Sequence, residues 1–145
     1  MADKNVADHK TVNLFRNEEK LVRVLYDFDT ETGAVADDYM LFTADEDLVI
    51  TEFWIRGITE LDSAADGATI DVGIDGGDED IFINGVAEAT VAAGALVQAT
   101  VVEGAPNVFA MPIKLASAGK IRLKLIGEAL TSGKCEFNFV CRPFA

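Results

Sequence analysis

The chain has 145 residues and half of them are apolar, so we expect one folded domain with its own core and exclude a largely disordered protein. It carries 25 acidic and 12 basic residues, a net charge of −13, and such a surface repels nucleic-acid phosphates, which argues against DNA or RNA as a partner. No run of about 18 apolar residues predicts a membrane-spanning helix. The start lacks the apolar stretch of a secretory signal, so we expect no membrane partner and no export.

The first predicted element is an N-terminal arm. Residues 1–12 are mostly polar and predict a flexible or extended arm, followed by a single β-sandwich domain over residues 13–145. Such an arm either frays or becomes ordered on a neighbouring molecule. From residue 21 onwards, apolar residues recur at every second position over short segments, which is typical of strands with one buried face.

This alternation predicts seven strands joined by short turns. They are expected at residues 21–28, 48–58, 68–75, 96–102, 108–115, 120–126 and 134–142. Residues 29–38 predict a polar loop around Gly33, residues 87–93 one or two helical turns ended by Gly94, and Pro112 an edge or a bulge. Seven or eight strands with at most one short helix predict an all-β antiparallel sandwich that is jelly-roll-like, although immunoglobulin-like strand orders give the same signals.

The two cysteines, Cys135 and Cys141, lie in an alternating segment. Six extended residues separate their Cα atoms by roughly 20 Å, whereas a disulfide requires about 7 Å or less. We therefore predict two buried free thiols, which suits a reducing compartment. Two isolated cysteines and one histidine do not compose a zinc site.

The acidic stretch 71–82 contains five acidic residues and three glycines. It fits a calcium loop, a pair of catalytic carboxylates, or a strand that runs into an acidic turn. The ligand spacing of an EF-hand is absent, and Asp71 and Asp75 lie on the one exposed face of their strand rather than across a cleft. We favour the turn, and cation binding by Asp75–Asp80 stays an open alternative.

Other catalytic devices find little support in the sequence. His9 is the single histidine, and it falls in the predicted arm without a group to orient it. The glycines of residues 73–77 have neither the spacing nor the lysine of a phosphate loop. We therefore predict no enzyme, no catalytic residue, no metal ligand and no cofactor.

The first candidate interface is a row of cations. Residues 24–113 hold nineteen acidic residues and one basic residue, whereas residues 114–145 hold six basic and two acidic ones. Within the basic part, Lys120, Arg122 and Lys124 share one face of a predicted strand. They either pair across strands with acids such as Asp71 and Asp75, or contact an acidic partner surface.

The second candidate interface is the strand at residues 48–58. Phe53 and Ile55 define one apolar face, but Leu48, Ile50 and Trp54 lie on the other. A strand that is apolar on both sides needs cover on both sides. That cover is either the helical turn near Ala87 or another subunit, and in the second case Trp54 belongs to the interface.

Three segments also carry a resemblance: residues 70–82, an alanine-rich stretch up to Gly94, and residues 130–140 with their Leu-Thr-Ser-Gly-Lys turn. Together they resemble small β-sandwich proteins of tailed bacteriophages, several of which decorate or cement the capsid exterior. The likeness spans residues 48–142.

The resemblance implies a jelly-roll-like subunit, often trimeric, that sits at threefold positions on the outside of the virion. There it would bridge major capsid subunits without cofactor or chemistry, after synthesis in the host bacterial cytoplasm. Its interfaces would combine buried apolar patches with charge complementarity. The alternative is a tail-fibre, receptor-binding or carbohydrate-binding sandwich, which would use exposed aromatic side chains in a concave face.

Overall fold

The computed structural model describes residues 2–14, 18–99 and 111–144. In chain order the elements are β1 (Ala2–Val12), β2 (Lys20–Asp27), α1 (Phe28–Glu31), β3 (Asp37–Ala44), β4 (Leu48–Ser63), β5 (Thr69–Ile74), β6 (Ile83–Ala87), a 3₁₀ turn (Glu88–Thr90), β7 (Leu96–Gln98), β8 (Ile113–Leu115), β9 (Lys120–Ile126) and β10 (Leu130–Pro143).

The strands form two sheets. The first sheet has the order β1-β3-β9-β5-β6, and the second has the order β2-β10-β4-β7, with β8 also paired to β4. Among the described strands, only the pairing of β1 with β3 is parallel. The all-β sandwich is confirmed, with three strands that alternation did not predict: β1, β3 and β6. Residues 100–110, parts of two predicted strands, lie outside the described residues.

The core between the sheets is built around aromatic side chains. The ring of Phe139 on β10 lies 4.8 Å from that of Phe42, 5.1 Å from that of Phe53 and 5.8 Å from that of Phe82. Edge-to-face contacts of this kind stabilise a core beyond the area that they bury. Because the rings come from both sheets and from the segment before β6, they fix the packing of the whole sandwich.

A β-bulge in β4 explains why its sequence is apolar on two sides. Phe53 is paired with Phe139 and Ile50 with Cys141, so β4 has one residue more than β10 over this interval. The extra residue reverses the alternation. As a result Leu48, Ile50 and Phe53 all lie in the one core, so the prediction that Leu48 and Ile50 share an opposite face with Trp54 is wrong.

A similar bulge accounts for β3, which alternation did not predict. Met40 is paired with Arg122 and Phe42 with Ile121, so Leu41 is the extra residue. Tyr39, Leu41 and Phe42 are all buried in the main core, whereas Met40 is buried on the outer face of the sheet, outside that core. The sequence here is a continuous apolar run without period.

Residues 2–12, predicted to be a flexible or extended arm, form the extended strand β1. Its two ends pair with β3, and the register shifts between Asn5 and Lys10. Within that interval, the amide of Ala7 donates to Glu31, and Asp8 accepts from the amide of Leu25. The strand is therefore held by the first sheet, by α1 and by β2. The strand was not predicted because it has few apolar residues, such as Val6.

The helical content is small. Of the helical turns predicted near residue 87, the structure has the single 3₁₀ turn Glu88–Thr90. The segment after it packs closely on β4, since a Cβ on Gly57 would stand 1.9 Å from the carbonyl oxygen of Ala92. The predicted loop at residues 29–38 begins inside α1. None of the helices in the described residues has the length and hydropathy to cross a membrane.

Candidate interaction surfaces

Arg122 lies at the centre of a buried ion network on the outer face of the first sheet. Its Nη1 atom is 2.8 Å from Asp38 and its Nη2 atom is 2.9 Å from Glu79. The Nζ atom of Lys124 is 3.2 Å from Asp38. Only 7% of the Arg122 side chain is exposed. Intramolecular pairing with Asp38 and Glu79 therefore holds two of the three predicted interface cations, and Asp71, one of the expected acids, lies in register with Lys124.

The acidic stretch is the cover that buries Arg122. After β5 the chain turns back across the sheet. There the amide of Ile74 donates to the backbone carbonyl of Asp78, and the amide of Phe82 donates to the backbone carbonyl of Val72. It passes so close to Gly73 that a Cβ there would stand 2.2 Å from the carbonyl carbon of Glu79. The stretch is thus an acidic turn that packs on a sheet, the arrangement favoured from its sequence.

The tip of this turn keeps a surplus of negative charge. A hydrogen bond between the side chains of Asp78 and Asp80, with partial burial and the charges of Asp78 and Asp71, raises the pKa of Asp80. Neither Asp78 nor Asp80 forms an ion pair with a described cation. The raised pKa indicates carboxylates held close together without compensation.

A different group of acids converges at the other end of the sandwich. Within the described residues, the one set of three carboxylates whose oxygens lie within 4.8 Å of one another is Asp62, Asp66 and Glu88. Glu88 is buried and accepts a hydrogen bond of 3.0 Å from Ser63. The charge of Asp62 is the main reason why the pKa of Asp66 is raised. Glu88 follows well after Asp62 and Asp66 in the sequence, and the three residues match no ligand motif, so the sequence did not reveal them.

The thiols are inert parts of the core. Cys135 and Cys141 are both buried and free, as predicted. Burial raises the pKa of Cys135 and raises that of Cys141 to about 12. A thiol nucleophile needs a lowered pKa, so neither cysteine is prepared for chemistry.

Trp54 points outward from the second sheet beside an open groove of about 530 Å³. It is half-buried, and it is paired in register with Gln98 of β7. Leu96 on the same edge is 68% exposed. We call this feature the Trp54 groove. Its lining comprises Thr51, Glu52, Phe53, Trp54, Leu96, Gln98, Ala99 and Met111.

Lys120, the third predicted cation, is exposed at the start of β9. It is in register with Thr43 of β3, which is in register with Thr11 of β1. We call this end of the first sheet the Lys120 end. On the far side of β9, the carbonyl of Lys120 accepts from the amide of Asp75. The acidic turn is therefore at the Lys120 end as well.

A basic cleft also opens at the Lys120 end, between β1 and β2. Its volume is about 260 Å³. His9 lies in it with Nε2 3.0 Å from the hydroxyl of Thr43; partial burial, and then the charge of Lys120, lower the pKa of this imidazole. The sequence pattern predicted an arm at residues 1–12 and did not indicate this cleft. The lining residues are His9, Lys10, Thr11, Val12, Lys20, Leu21, Val22 and Arg23.

Comparisons with known proteins establish the fold. No protein-family model matches the sequence, and a search of curated proteins found no match. A chain of the cyanophage Pam1 capsid asymmetric unit is similar with a TM-score of 0.63 and 17% identity, covering 88% of this chain and 86% of that chain. A chain of the capsid of Ralstonia phage GP4 gives a TM-score of 0.59 and 17% identity, with coverage of 92% and 90%. At these identities the likeness shows a shared fold.

Proposed function

We propose that this chain is a non-enzymatic structural protein of a phage virion. It decorates the capsid exterior as a homotrimer, bridges neighbouring major capsid subunits and so stabilises the shell. The observation that carries the proposal is the fold shared with chains of two phage capsid structures, over 88% and 92% of this chain and over 86% and 90% of those chains. The likeness thus relates most of each chain. Buried free thiols suit synthesis in the host bacterial cytoplasm.

The non-enzymatic part of the proposal is supported by where the reactive side chains lie. The thiol of Cys135, whose pKa is raised by burial, is enclosed in the core. The ring of His9 is hydrogen-bonded to the Thr43 hydroxyl and faces the cations of the cleft, and no carboxylate of the described residues is hydrogen-bonded to it as the third member of a catalytic triad would be. In this fold such groups serve packing and hydrogen bonding.

The Trp54 groove is the surface that we assign to the shell. A half-buried tryptophan next to a largely exposed leucine has the composition of an interface hot spot, in which an aromatic anchor supplies much of the binding energy. Lys120 is exposed and stays a candidate contact. Arg122 acts at a distance, because its ion pair with Glu79 holds the acidic turn on the sheet, and Lys124 supports it by sharing the Asp38 carboxylate.

Co-sedimentation with shells tests this function. The purified protein is mixed with capsids of the phage that encodes it, after the native copies have been stripped off, and bound protein is measured across a concentration series. We expect saturable binding, and we expect Trp54→Ala to weaken it by about 2 kcal/mol or more, as truncation of a hot-spot residue does. Ile126→Ala is the matched control, because Ile126 is also an exposed apolar residue but lies in the other sheet.

The Trp54 groove also favours the second candidate, a carbohydrate-binding module, because Glu52 and Gln98 flank the indole and aromatic faces with adjacent polar groups suit sugars. Binding of the protein to a glycan array, abolished by Trp54→Ala and unaccompanied by shell binding, would favour that module. Failure to bind any shell would overturn the capsid proposal.

A further inference from the structure

The basic cleft carries positive charge that the chain does not neutralise. Lys10 pairs with Asp8 at 2.7 Å, and the lowered pKa of His9 makes it neutral near pH 7. Lys20 and Arg23 are exposed and form no ion pair with any described carboxylate, and the same holds for Lys120 nearby. In a protein of net charge −13, this is an isolated positive patch with a concave shape.

The acidic turn is the complementary feature. Asp78 is exposed, Asp75 and Asp80 are half-buried, and the contact with Asp78 raises the pKa of Asp80. Their mutual repulsion would be relieved by a cationic surface. Of the acids in the turn, only Glu79 has a cationic partner among the described residues.

The cleft and the turn are placed so that one copy can bind the next. Both are at the Lys120 end of the first sheet. The cleft lies beside edge strand β1, and the turn is the segment that follows β5 in the chain. Three strand spacings, about 14 Å, separate β1 from β5. A rotation about an axis parallel to the strands would bring the turn of one copy to the cleft of its neighbour at the same height. Contacts between two different patches build a ring of subunits when the rotation from one copy to the next closes.

We propose that the basic cleft, through Lys20 and Arg23, receives the acidic turn, through Asp78 and Asp80, of a second copy of this chain. This contact is the inter-subunit interface of the oligomer, and in that respect it rests on the proposed function. It is one-directional, since each subunit offers its cleft to one neighbour and its turn to the other.

Charge reversal separates the two halves of the contact. A cleft variant carries Lys20→Glu and Arg23→Glu, and a turn variant carries Asp78→Lys and Asp80→Lys. The control for the cleft variant is Arg56→Glu with Lys134→Glu, which changes the net charge equally at sites that are ion-paired within the chain. The control for the turn variant is Asp62→Lys with Asp66→Lys, at the opposite end. Molar mass is measured by sedimentation velocity, and folding by thermal melting.

The expected result is specific to a head-to-tail contact. The wild type and both controls associate, and each test variant alone is a monomer, with association weakened at least about tenfold. A mixture of the two test variants associates again, because the unchanged cleft of the turn variant can meet the unchanged turn of the cleft variant, and the two charge-reversed surfaces are also opposite in sign. Association of the wild type declines between about 0.1 M and 1 M salt, where the Debye length falls from about 10 Å to about 3 Å.

Three outcomes would overturn the proposal: a monomeric wild type at low salt, a folded cleft variant that associates like the wild type, or a mixture that stays monomeric. Shell binding is measured separately. Head-to-tail association without shell binding would remove the proposed function and leave this interface standing. Shell binding that both test variants retain as monomers would remove this interface and leave the proposed function standing.

Discussion

Glu79 lies directly above Gly73, so close that a Cβ on Gly73 would stand 2.2 Å from its carbonyl carbon. The close approach lets the Glu79 carboxylate reach Arg122 at 2.9 Å. One glycine thus determines whether the acidic turn can lie flat on the sheet and complete the ion network.

Replacing this glycine tests the packing of the turn. We expect Gly73→Ala to lower the free energy of unfolding by about 1–3 kcal/mol, since the methyl group forces backbone apart as overpacking does. Urea unfolding measures the change. Gly77→Ala is the control, because the nearest atom to a Cβ there is a side-chain methyl carbon of Ile74 at 3.2 Å rather than backbone. Equal stability of the two variants would show that the turn does not press on β5.

Removal of the Arg122 charge should destabilise the fold. Arg122→Met leaves Asp38 buried and paired only with Lys124, and it leaves Glu79 without a partner, so we expect a loss of about 3 kcal/mol. The Nε atom of Arg122 is buried without a hydrogen-bond partner in the described structure. This unsatisfied donor reduces the stability that the ion network contributes to the fold.

The double variant Arg122→Met with Asp38→Asn should recover part of that stability, because it removes the stranded charge. Urea unfolding of both single variants and the double variant completes the cycle. An Arg122→Met protein that unfolds like the wild type but no longer assembles would instead place this side chain in an interface.

The buried thiols predict a loss of stability at high pH. Burial raises the pKa of Cys141 from 9.0 to about 12, so the unfolded chain releases this proton before the folded one. The contribution is fully present below pH 9 and is lost as the pH rises towards about 12.

Unfolding free energies measured across this range should therefore fall less steeply for Cys141→Ala than for the wild type. Tyr26, whose pKa burial also raises, titrates in both proteins and cancels in the comparison. Parallel curves, or rapid labelling of Cys141 by a thiol reagent in the native state, would contradict the prediction.

The convergence of Asp62 and Asp66 should cost stability at neutral pH. The charge of Asp62 raises the pKa of Asp66, which favours the protonated form, so ionisation above that pKa works against folding. We expect Asp66→Asn to raise the melting temperature at pH 7 and to have no effect below pH 3. Asparagine tolerates the positive φ of 54° at this position. A lower melting temperature at pH 7 would mean that the carboxylate makes a favourable contact instead.

The alternation pattern predicted the strands that are paired regularly and failed where bulges change the register. It placed β9 correctly, with Ile121 and Leu123 inward and Arg122 outward. It misjudged β4 because the extra residue near Thr51 returns the apolar side chains to the core. Local periodicity carries no information on such insertions.

The candidate surfaces were predictable only in part. The sequence showed that Lys120, Arg122 and Lys124 share a face, but the burial of Arg122 depends on Asp38, 84 residues away, and on a turn that folds back over the sheet. The basic cleft was missed because β1 has almost no apolar pattern. Residues that are far apart in the sequence are brought together here by the order of the strands in the sheets, and no single segment of the sequence encodes that order.

The parallel pairing of β1 has a practical consequence for labelling. Ala2 is in register with Asp37, at the end of the first sheet away from Lys120, whereas β10 runs back towards Leu48 and finishes at Pro143. A fluorophore or cargo domain joined ahead of Ala2 would therefore emerge on the side remote from both charged features. Attached behind β10, the same tag would stand among them.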